Sequence, residues 1–542
     1  MGIVLQSVVA GGLVWVVWQV WRTFLRCYFE SSSVDHLHGP VPKSTFLGSW
    51  GDVTGHDSWA FWDDLAENYG GVVKVQGLLG EKNLHVSDPA ALHTILVKEQ
   101  SNFPEPYMFL TMNQVVLGHG LFATEGAVHR KQRKILNPAF ASAYLKRLTP
   151  VFAQVATRLC DGISAQVKNG AREVDMVKWV ARAALEFIGQ GGMGYSFDSL
   201  VSNEPNAHRD AVKALLPAVF DIPHYLVVLP LARFLVPHRY QRWLVDRYPD
   251  KGVQRLKSIV DLLWDKSSDI ITARRVAVEK SGEEDTAKDI ISILLRANMK
   301  ASAEDRLPDD QLVAQVSTMI SAATDTSSNL MARILSLLTQ HPEVQDKLRK
   351  EVLESSVVEE DDMSYDTVLS LPYLDAIYRE TARLYPVSLY IQRTAEKDTV
   401  LPLWKPVMDK HGKSIDSLPI AKGTPVMIGI YAYNRSKAIW GDDAEEWKPE
   451  RWLAPLPDTF KSLPGTAVYS NMMTFIGGPR GCIGFKYAEL EIKTILCHLL
   501  KRFKFTATDQ VVMWNTSMVV YPTTAEKTSE AKMMMNVELV RS

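Results

Sequence analysis

The feature that most constrains this chain is the stretch FIGGPRGCIGF, which runs from Phe475 to Phe485. Its four glycines and one proline exclude an ordinary helix or central strand, so the backbone must turn sharply several times. The apolar segment KYAELEIKTILCHLLKRF follows directly and predicts a helix. The loop therefore brings Arg480 and Cys482 to the N-terminal end of a helix.

This setting distinguishes Cys482 from an ordinary thiol. A solitary intracellular cysteine is usually a small buried hydrophobic residue. At a helix N-terminus, however, the helix dipole and free backbone N–H groups stabilise a thiolate, and glycines let those groups approach the sulfur. The pattern predicts a persistent thiolate that acts as a nucleophile or a metal ligand, with Arg480 placed to bind an anionic group of the same ligand.

The composition excludes several classes of protein. The 542 residues carry 60 Lys and Arg against 62 Asp and Glu, a net charge of −2, without the basic excess typical of nucleic-acid binding. The four cysteines form no CxxC pair for a zinc site and are too few for a disulfide framework. We expect a reducing compartment and no nucleic-acid partner.

The N-terminus predicts a membrane anchor. Residues Ile3–Trp21 include only three polar side chains, and as a helix they would reach about 28 Å, close to the roughly 30 Å hydrocarbon core of a bilayer. The first basic residues, Arg22 and Arg26, follow the segment, which places the rest of the chain in the cytoplasm. A cleaved signal peptide is the alternative, but the segment lacks a basic leading region.

The rest of the chain is predicted to form one large mixed domain. Residues 1–21 are assigned to the transmembrane helix, 22–58 to a hinge rich in proline and glycine, 59–522 to the main domain and 523–542 to a polar C-terminal tail. Helical periodicity dominates the middle of the chain, and strand patterns lie toward both ends. The fold class is therefore mainly α with smaller β-sheets, an α+β architecture.

Two further helices carry residue pairs of chemical interest. Glu380 and Arg383 are three residues apart and can form an ion pair, although an isolated pair of this kind usually lies at the surface and contributes little. Asp325 and Thr326 follow small residues in ISAATDTSS, a pattern that invites a local opening of the helix hydrogen bonds. A polar turn of a buried helix is the alternative for that segment.

A basic helix is predicted in GAVHRKQRKILNPAF. His129 and Arg133 lie four residues apart, so they share a face, and both can donate to a carboxylate. Arg130, Lys131 and Lys134 would face outward, where they can contact an acidic partner protein.

In combination these segments resemble the cytochrome P-450 family, the haem-thiolate monooxygenases. Phe475, Gly478, Arg480, Cys482 and Gly484 match every fixed position of the Phe-x-x-Gly-x-Arg-x-Cys-x-Gly signature of that family. The resemblance covers nearly the whole chain, and the other segments occur in the family's order. It implies a cytochrome P-450 fold, a haem-thiolate catalytic domain over residues 59–522, and haem b (iron protoporphyrin IX) with Cys482 as the iron ligand.

The resemblance also implies a structural network and a set of propionate-binding residues. Glu380 and Arg383 are expected to join Arg451, the arginine of KPERW, in a buried network that holds the cysteine loop. The residues expected to bind the haem propionates are His129, Arg133, Arg393 and Arg480.

The acid–threonine pair and two departures from the family pattern complete the implied site. Asp325 and Thr326 are expected to deliver protons during oxygen activation. Ala323 stands where the family has glycine, which would make the groove beside the pair tighter, and His129 stands where tryptophan is usual.

The implied reaction splits dioxygen, inserts one oxygen atom into a lipophilic small molecule and releases the other as water. NADPH is expected to supply electrons through a membrane-bound reductase, with the single-pass protein in the endoplasmic reticulum membrane and its catalytic domain in the cytoplasm. The segment HRKQRKILNPAF resembles fungal members, many of which oxidise terpenoids and other secondary metabolites. Two alternatives stay open: a haem-thiolate isomerase or dehydratase acting on a hydroperoxide, which often lacks the acid–threonine pair, and a non-catalytic membrane haem sensor.

The substrate pocket is expected to be lined by residues 103–121, 215–244 and 387–391. Four prolines interrupt the apolar segment Leu215–Leu244, so it cannot be one spanning helix. It is either a buried helix pair or a lid whose apolar face touches the membrane. Asn434 and Asn515 begin glycosylation patterns that, in a cytoplasmic domain, are best explained by chance.

Overall fold

The computed structural model describes residues 32–540 except 198–199, 201–206, 223–224, 226–228, 230–231, 234, 282–288, 356–363, 468, 517 and 526–529. The predicted anchor, residues 1–21, lies outside the described residues. Within the described part of the chain, no helix combines the length and the apolar character needed to cross a bilayer.

Helices make up most of the described chain. In chain order they are α1 Trp50–Thr54, α2 Trp59–Glu67, α3 Pro89–His93, α4 Tyr107–Leu117, α5 Gly126–Leu136, α6 Ser142–Lys168, α7 Met176–Glu186, α8 Ala207–Phe220, α9 His238–Arg247, α10 Lys251–Ser281, α11 Ile290–Lys300, α12 Asp309–Gln340, α13 Pro342–Glu354, α14 Tyr365–Ser370, α15 Pro372–Leu384, α16 Ile430–Arg435, α17 Lys437–Trp440, α18 Thr459–Ser462 and α19 Phe485–Arg502.

The strands form small sheets at the margins of the helical body. They are β1 Val72–Gln76, β2 Lys82–Val86, β3 Glu173–Asp175, β4 Tyr390–Thr394, β5 Thr399–Met408, β6 Ser414–Ile420, β7 Pro425–Gly429, β8 Phe503–Ala507, β9 Val512–Asn515, β10 Tyr521–Thr524 and β11 Met534–Leu539. The largest sheet has the order β1-β2-β7-β4, and only β2 and β7 pair in parallel within it. The predicted class, mainly α with smaller β-sheets, is confirmed.

The last strand lies within the segment that the sequence assigns to a polar tail. β11 pairs with β3 and β8 in a three-stranded antiparallel sheet. Met533, Met535 and Val537 are buried, so alternate side chains enter the core as the period of a strand requires. This part of residues 523–542 is therefore integrated into the folded domain rather than extended from it.

The described part of the predicted hinge also packs onto the domain. Val34 and Leu37 are buried in the core, and the backbone N–H of Lys74 in β1 donates to the His38 carbonyl at 2.9 Å. Asp35 forms an ion pair of 2.6 Å with Lys82 in β2. Residues 34–38 are thus held against the first sheet.

Helix α12 is the central element of the fold. Its 32 residues extend for about 48 Å. It packs against α7, α10, α13 and α15, and also against α19, the helix that follows the cysteine loop. The helix is buried over most of its length, but Ala322 is exposed, and Ser321, Ala323, Asp325 and Thr326 are half-buried. A partly exposed stretch in the middle of a buried helix indicates that residues 321–326 border an internal space.

Candidate active site

The cysteine loop folds as two tight turns, Met473–Phe475 and Gly478–Arg480, before α19 begins at Phe485. The backbone N–H of Cys482 donates to the Phe475 carbonyl at 2.9 Å and closes the loop. Gly478 has a φ of 70°, and a Cβ there would lie 1.9 Å from the Leu96 carbonyl oxygen, so only glycine fits. At Gly484, by contrast, a Cβ would meet no atom of the described chain closer than 3.8 Å.

The Cys482 side chain is accessible although protein atoms surround it. The residue is exposed, yet burial raises the pKa of its thiol, while the Gly484 backbone N–H and Arg133 act in the opposite direction. A thiol that is accessible and yet desolvated by surrounding protein atoms is expected on the wall of an internal space. The persistent thiolate at Cys482 stays a prediction, and a bound metal ion would add the positive charge that favours it.

Arg480 and Arg393 converge on one carboxylate. Arg480 donates to Glu105 through Nε at 2.8 Å and through Nη2, and its Nη1 donates to the Thr124 carbonyl at 2.7 Å. Nη2 of Arg393, a buried residue, lies 3.6 Å from the same Glu105 carboxylate. The structure therefore joins two predicted propionate-binding residues through Glu105, which the sequence analysis does not identify.

Arg133 and His129 lie beside Arg480. Arg133 donates to the Gly481 carbonyl at 2.7 Å, next to the cysteine. His129 is buried, and desolvation followed by the charges of Arg480, Arg133 and Arg130 lowers its pKa to about 3. The imidazole is therefore neutral near pH 7 and can donate one hydrogen bond, whereas the positive charge of this cluster is carried by the arginines.

The predicted Glu–Arg–Arg network exists and is buried. Arg383 binds Glu380 through two hydrogen bonds of 2.9 and 2.7 Å, and both side chains have no exposed surface. Arg451 reaches the same carboxylate at 3.3 Å, and Trp452 donates to it at 3.0 Å. Surface exposure, the alternative for an isolated pair of this spacing, does not apply here.

A chain of hydrogen bonds connects this network to the cysteine loop. Arg383 donates to the Asn434 carbonyl at 2.7 Å. The Asn434 side chain accepts from the Met473 backbone N–H at 2.8 Å and donates to Thr474 at 2.9 Å. Thr474 in turn donates to the Ala382 carbonyl at 2.6 Å. Asn434 thus fixes the entry to the loop, a role that its sequence context does not indicate.

Burial also bears on the two glycosylation patterns. Asn434 and Asn515 are both buried, and Asn515 donates to Thr523 at 2.9 Å. A glycan cannot be attached to either side chain in the folded protein, which agrees with chance as the explanation of these patterns.

The acid–threonine pair lies on an unbroken helix. The hydroxyl of Thr326 donates to the Ala322 carbonyl, four residues earlier, at 2.6 Å, and helical geometry continues through residues 321–326. The expected opening of the helix is therefore absent, because alanine at 323 favours the helix and the threonine hydroxyl binds the carbonyl that would be freed. Burial raises the pKa of Asp325 to about 6, and Lys213 on α8 opposes the shift.

Another buried acid lies near this pair. Glu491 on α19 faces Ser327, and burial raises its pKa to about 8, so the carboxyl group is protonated near pH 7. The sequence around Glu491 and around Lys213 does not predict these interactions, because each one joins two different helices.

The segment 121–124 connects α12 to the cysteine loop. The backbone N–H of Leu121 donates to Gln315 of α12 at 3.1 Å, and the carbonyl of Thr124 accepts from Arg480 at 2.7 Å.

These residues fit haem b. Cys482 offers a sulfur to iron from the wall of a cavity, and the open space beside Gly484 is not filled by described protein atoms. Arg393 and Arg480 pair with Glu105, whereas Arg133 forms no ion pair within the described chain and is available to a propionate. When bound, haem supplies the iron centre that activates dioxygen.

Comparisons with known proteins agree with this assignment. A sequence model of the family "Cytochrome P-450" matches residues 38–528. Cytochrome P-450 monooxygenase 91 of Postia placenta is 40% identical over 99% of this chain and 99% of its own length. Monooxygenase 212 of the same fungus is 42% identical over the same shares of both chains.

A relative with a more specific name is also similar. The ganoderic acid synthetase of Ganoderma lucidum is 38% identical over 98% of both chains. Members of the family use haem and generally take electrons from a redox partner. The family match and the full-length similarity show that this chain belongs to the cytochrome P-450 family and is a haem-dependent monooxygenase.

Proposed function

We propose that this monooxygenase is anchored in the endoplasmic reticulum membrane and oxidises a lipophilic terpenoid or related secondary metabolite with electrons from an NADPH-dependent reductase. The observation that carries the proposal is that an accessible Cys482 just before α19 and an acid–threonine pair on α12 belong to two helices that pack against each other. Asp325 and Thr326 are the groups that a monooxygenase needs to hold and move protons during oxygen activation.

The substrate class is supported by the relatives. The name of the Ganoderma protein refers to ganoderic acid. The segments 103–121, 215–244 and 387–391 remain the predicted pocket lining. Of the second segment, the described parts include the end of α8 and the start of α9.

Membrane attachment is supported by two groups of apolar residues. The segment Ile3–Trp21 has the length of a spanning helix. Leu235, Trp243 and Leu244 expose large apolar side chains within or beside α9, as expected for a lid that touches a bilayer. Removal of residues 1–31 should weaken membrane association, measured by flotation with liposomes, without abolishing it. Full release into the soluble fraction would argue against a membrane-facing lid.

The electron donor is proposed to bind the basic surface of α5. Arg130 and Lys134 are exposed there. Lys131 is not available in the same way, because its ammonium donates to the carbonyls of Glu304 and Arg306 at 2.6 and 3.0 Å. Charge reversal at Arg130 and Lys134 should therefore reduce the rate of electron transfer most strongly at low ionic strength.

The decisive experiment is reconstitution of the full-length protein with a fungal reductase, NADPH and ¹⁸O₂, followed by metabolite profiling. We expect a product that carries one ¹⁸O atom and requires NADPH. The variant Cys482→Ala should lose both the product and the thiolate-type Soret shift of the reduced carbon monoxide adduct. A product formed from a hydroperoxide without NADPH would favour the isomerase or dehydratase, and haem binding without any turnover would favour the sensor.

A further inference from the structure

A cavity of about 400 Å³ lies apart from the cysteine loop. Its walls include Arg333, Arg435 and four aromatic side chains, those of Trp59, Tyr385, Tyr431 and Trp514. Arg333 lies on α12 seven residues beyond Thr326, which is about 10 Å farther along the helix. No described residue of the cysteine loop or of positions 321–326 lines this cavity, so it is a separate space.

Two guanidinium groups in this cavity lack partners for part of their hydrogen-bonding capacity. Nε of Arg333 and Nε of Arg435 are buried and have no hydrogen-bond acceptor within the described chain. The charged or ionisable groups that act on Arg333 are Tyr385, Tyr431 and Arg435, and the last repels it. No carboxylate is among them. Both residues are half-buried, and desolvation of a cation without a counterion is costly, so this arrangement favours an anion in the cavity.

The nearby carboxylates do not supply that anion. Asp63 accepts the hydroxyl of Tyr431 at 2.6 Å, and Asp57 is exposed. Both line the cavity, but neither forms an ion pair with Arg333 or Arg435 among the described residues. Desolvation lowers the pKa of Arg333 to about 9, so the group is still a cation near pH 7.

The aromatic side chains that line the cavity indicate the shape of the ligand. The guanidinium carbon of Arg333 lies 3.4 Å from the Trp514 ring centroid and 4.4 Å from that of Tyr385. That of Arg435 lies 4.4 Å from the Tyr431 ring. Stacking on these rings holds the guanidinium planes in place and leaves their N–H edges to bind an acceptor. The volume is within the range of small-molecule sites.

We propose that this cavity is a second binding site, which accepts a small organic carboxylate attached to a planar apolar body. The carboxylate accepts hydrogen bonds from Arg333 and Arg435, and the planar body packs on the aromatic side chains. This site is additional to the haem-thiolate site and does not depend on the identity of the substrate.

The test uses the full-length holoenzyme with imidazole bound to the haem iron, so that the catalytic pocket is blocked. Binding of 2-naphthoate and of its neutral analogue 2-naphthamide is measured by equilibrium dialysis, and the Soret band reports whether imidazole stays bound. We expect one saturable site for naphthoate, at least about tenfold weaker binding of the amide, and an unchanged Soret band, since tenfold is about 1.4 kcal/mol.

Arginine variants distinguish this cavity from other sites. Arg333→Gln and Arg435→Gln should each weaken naphthoate binding at least about tenfold. Arg247→Gln is the matched control, because the guanidinium of Arg247 also lies over an aromatic ring, that of Trp243 at 4.4 Å, but the residue is exposed outside the cavity. If Arg333→Gln fails to fold, Arg435→Gln alone decides. Equal affinity for acid and amide, displacement of imidazole, or unchanged binding by the Arg435 variant would overturn the proposal.

Discussion

Replacement of Glu380 by glutamine tests the physical basis of the site most directly. Its carboxylate has no exposed surface and accepts hydrogen bonds from Arg383, Trp452 and the Lys448 backbone at 2.7 to 3.1 Å, with Arg451 at 3.3 Å. The variant Glu380→Gln keeps the shape of the side chain but removes the charge. It also presents an NH₂ group to neighbours that are all donors.

The expected cost follows from the burial of Arg383. Removal of one partner from a buried ion pair leaves the other charge uncompensated and costs about 3–5 kcal/mol. At a denaturant slope of about 3 kcal/mol per molar urea, the transition midpoint should fall by about 1 M or more. Because Arg383 also binds the Asn434 carbonyl at 2.7 Å, and Asn434 holds Met473 and Thr474, the cysteine loop should loosen in the same transition.

The measurement is urea unfolding of the holoenzyme, followed by the Soret band of the reduced carbon monoxide adduct. Asp458→Asn is the matched control, since Asp458 and Lys461 form an ion pair of 2.6 Å at the same spacing of three residues, but both side chains are more than 80% exposed. The control should leave the midpoint unchanged. A midpoint for Glu380→Gln equal to that of the control, with the thiolate band retained, would refute the reasoning.

Three further outcomes follow from the site. Thr326→Ala should keep the thiolate spectrum but release peroxide in place of product, measured as the ratio of product to NADPH consumed; full coupling would contradict a role in proton delivery. Since burial raises the pKa of Asp325 to about 6, its protonated form is lost as the pH rises through 6, and Asp325→Asn should remove an inflection near pH 6 from the pH–rate profile. Arg480→Gln loses charged hydrogen bonds to Glu105 and Thr124, so haem transfer to apomyoglobin should accelerate about tenfold or more.

Sequence reasoning succeeds where the determinants are local. The cysteine loop is recognisable because five fixed residues, of four types, lie within ten positions. The pair Glu380 and Arg383 is predicted by its spacing on one helix face. Arg451 is less local, and its role is inferred only because the resemblance implies a third member of the network.

The parts that sequence reasoning misses depend on contacts between distant segments. Glu105 meets Arg480 across 375 positions, and no spacing rule connects two such residues. The pKa of the Cys482 thiol depends on distant segments as well, since the desolvation that raises it comes from the rest of the fold. At Ala323, by contrast, the cause is local. The high helix propensity of alanine favours the unbroken helix over the predicted opening.

Arg383 and Arg333 differ in a way that separates a structural role from a binding role. Arg383 is enclosed by Glu380 and by backbone carbonyls, so its charge and its donors are satisfied within the chain, and it stabilises the fold. Arg333 is desolvated as well, yet its Nε has no acceptor within the described chain and the guanidinium borders a cavity. A satisfied buried charge needs nothing from outside the protein, whereas an unsatisfied one beside an open space favours a ligand of opposite charge. The haem site follows the same rule, since Arg133 has no carboxylate partner within the described chain and the cofactor brings two carboxylates.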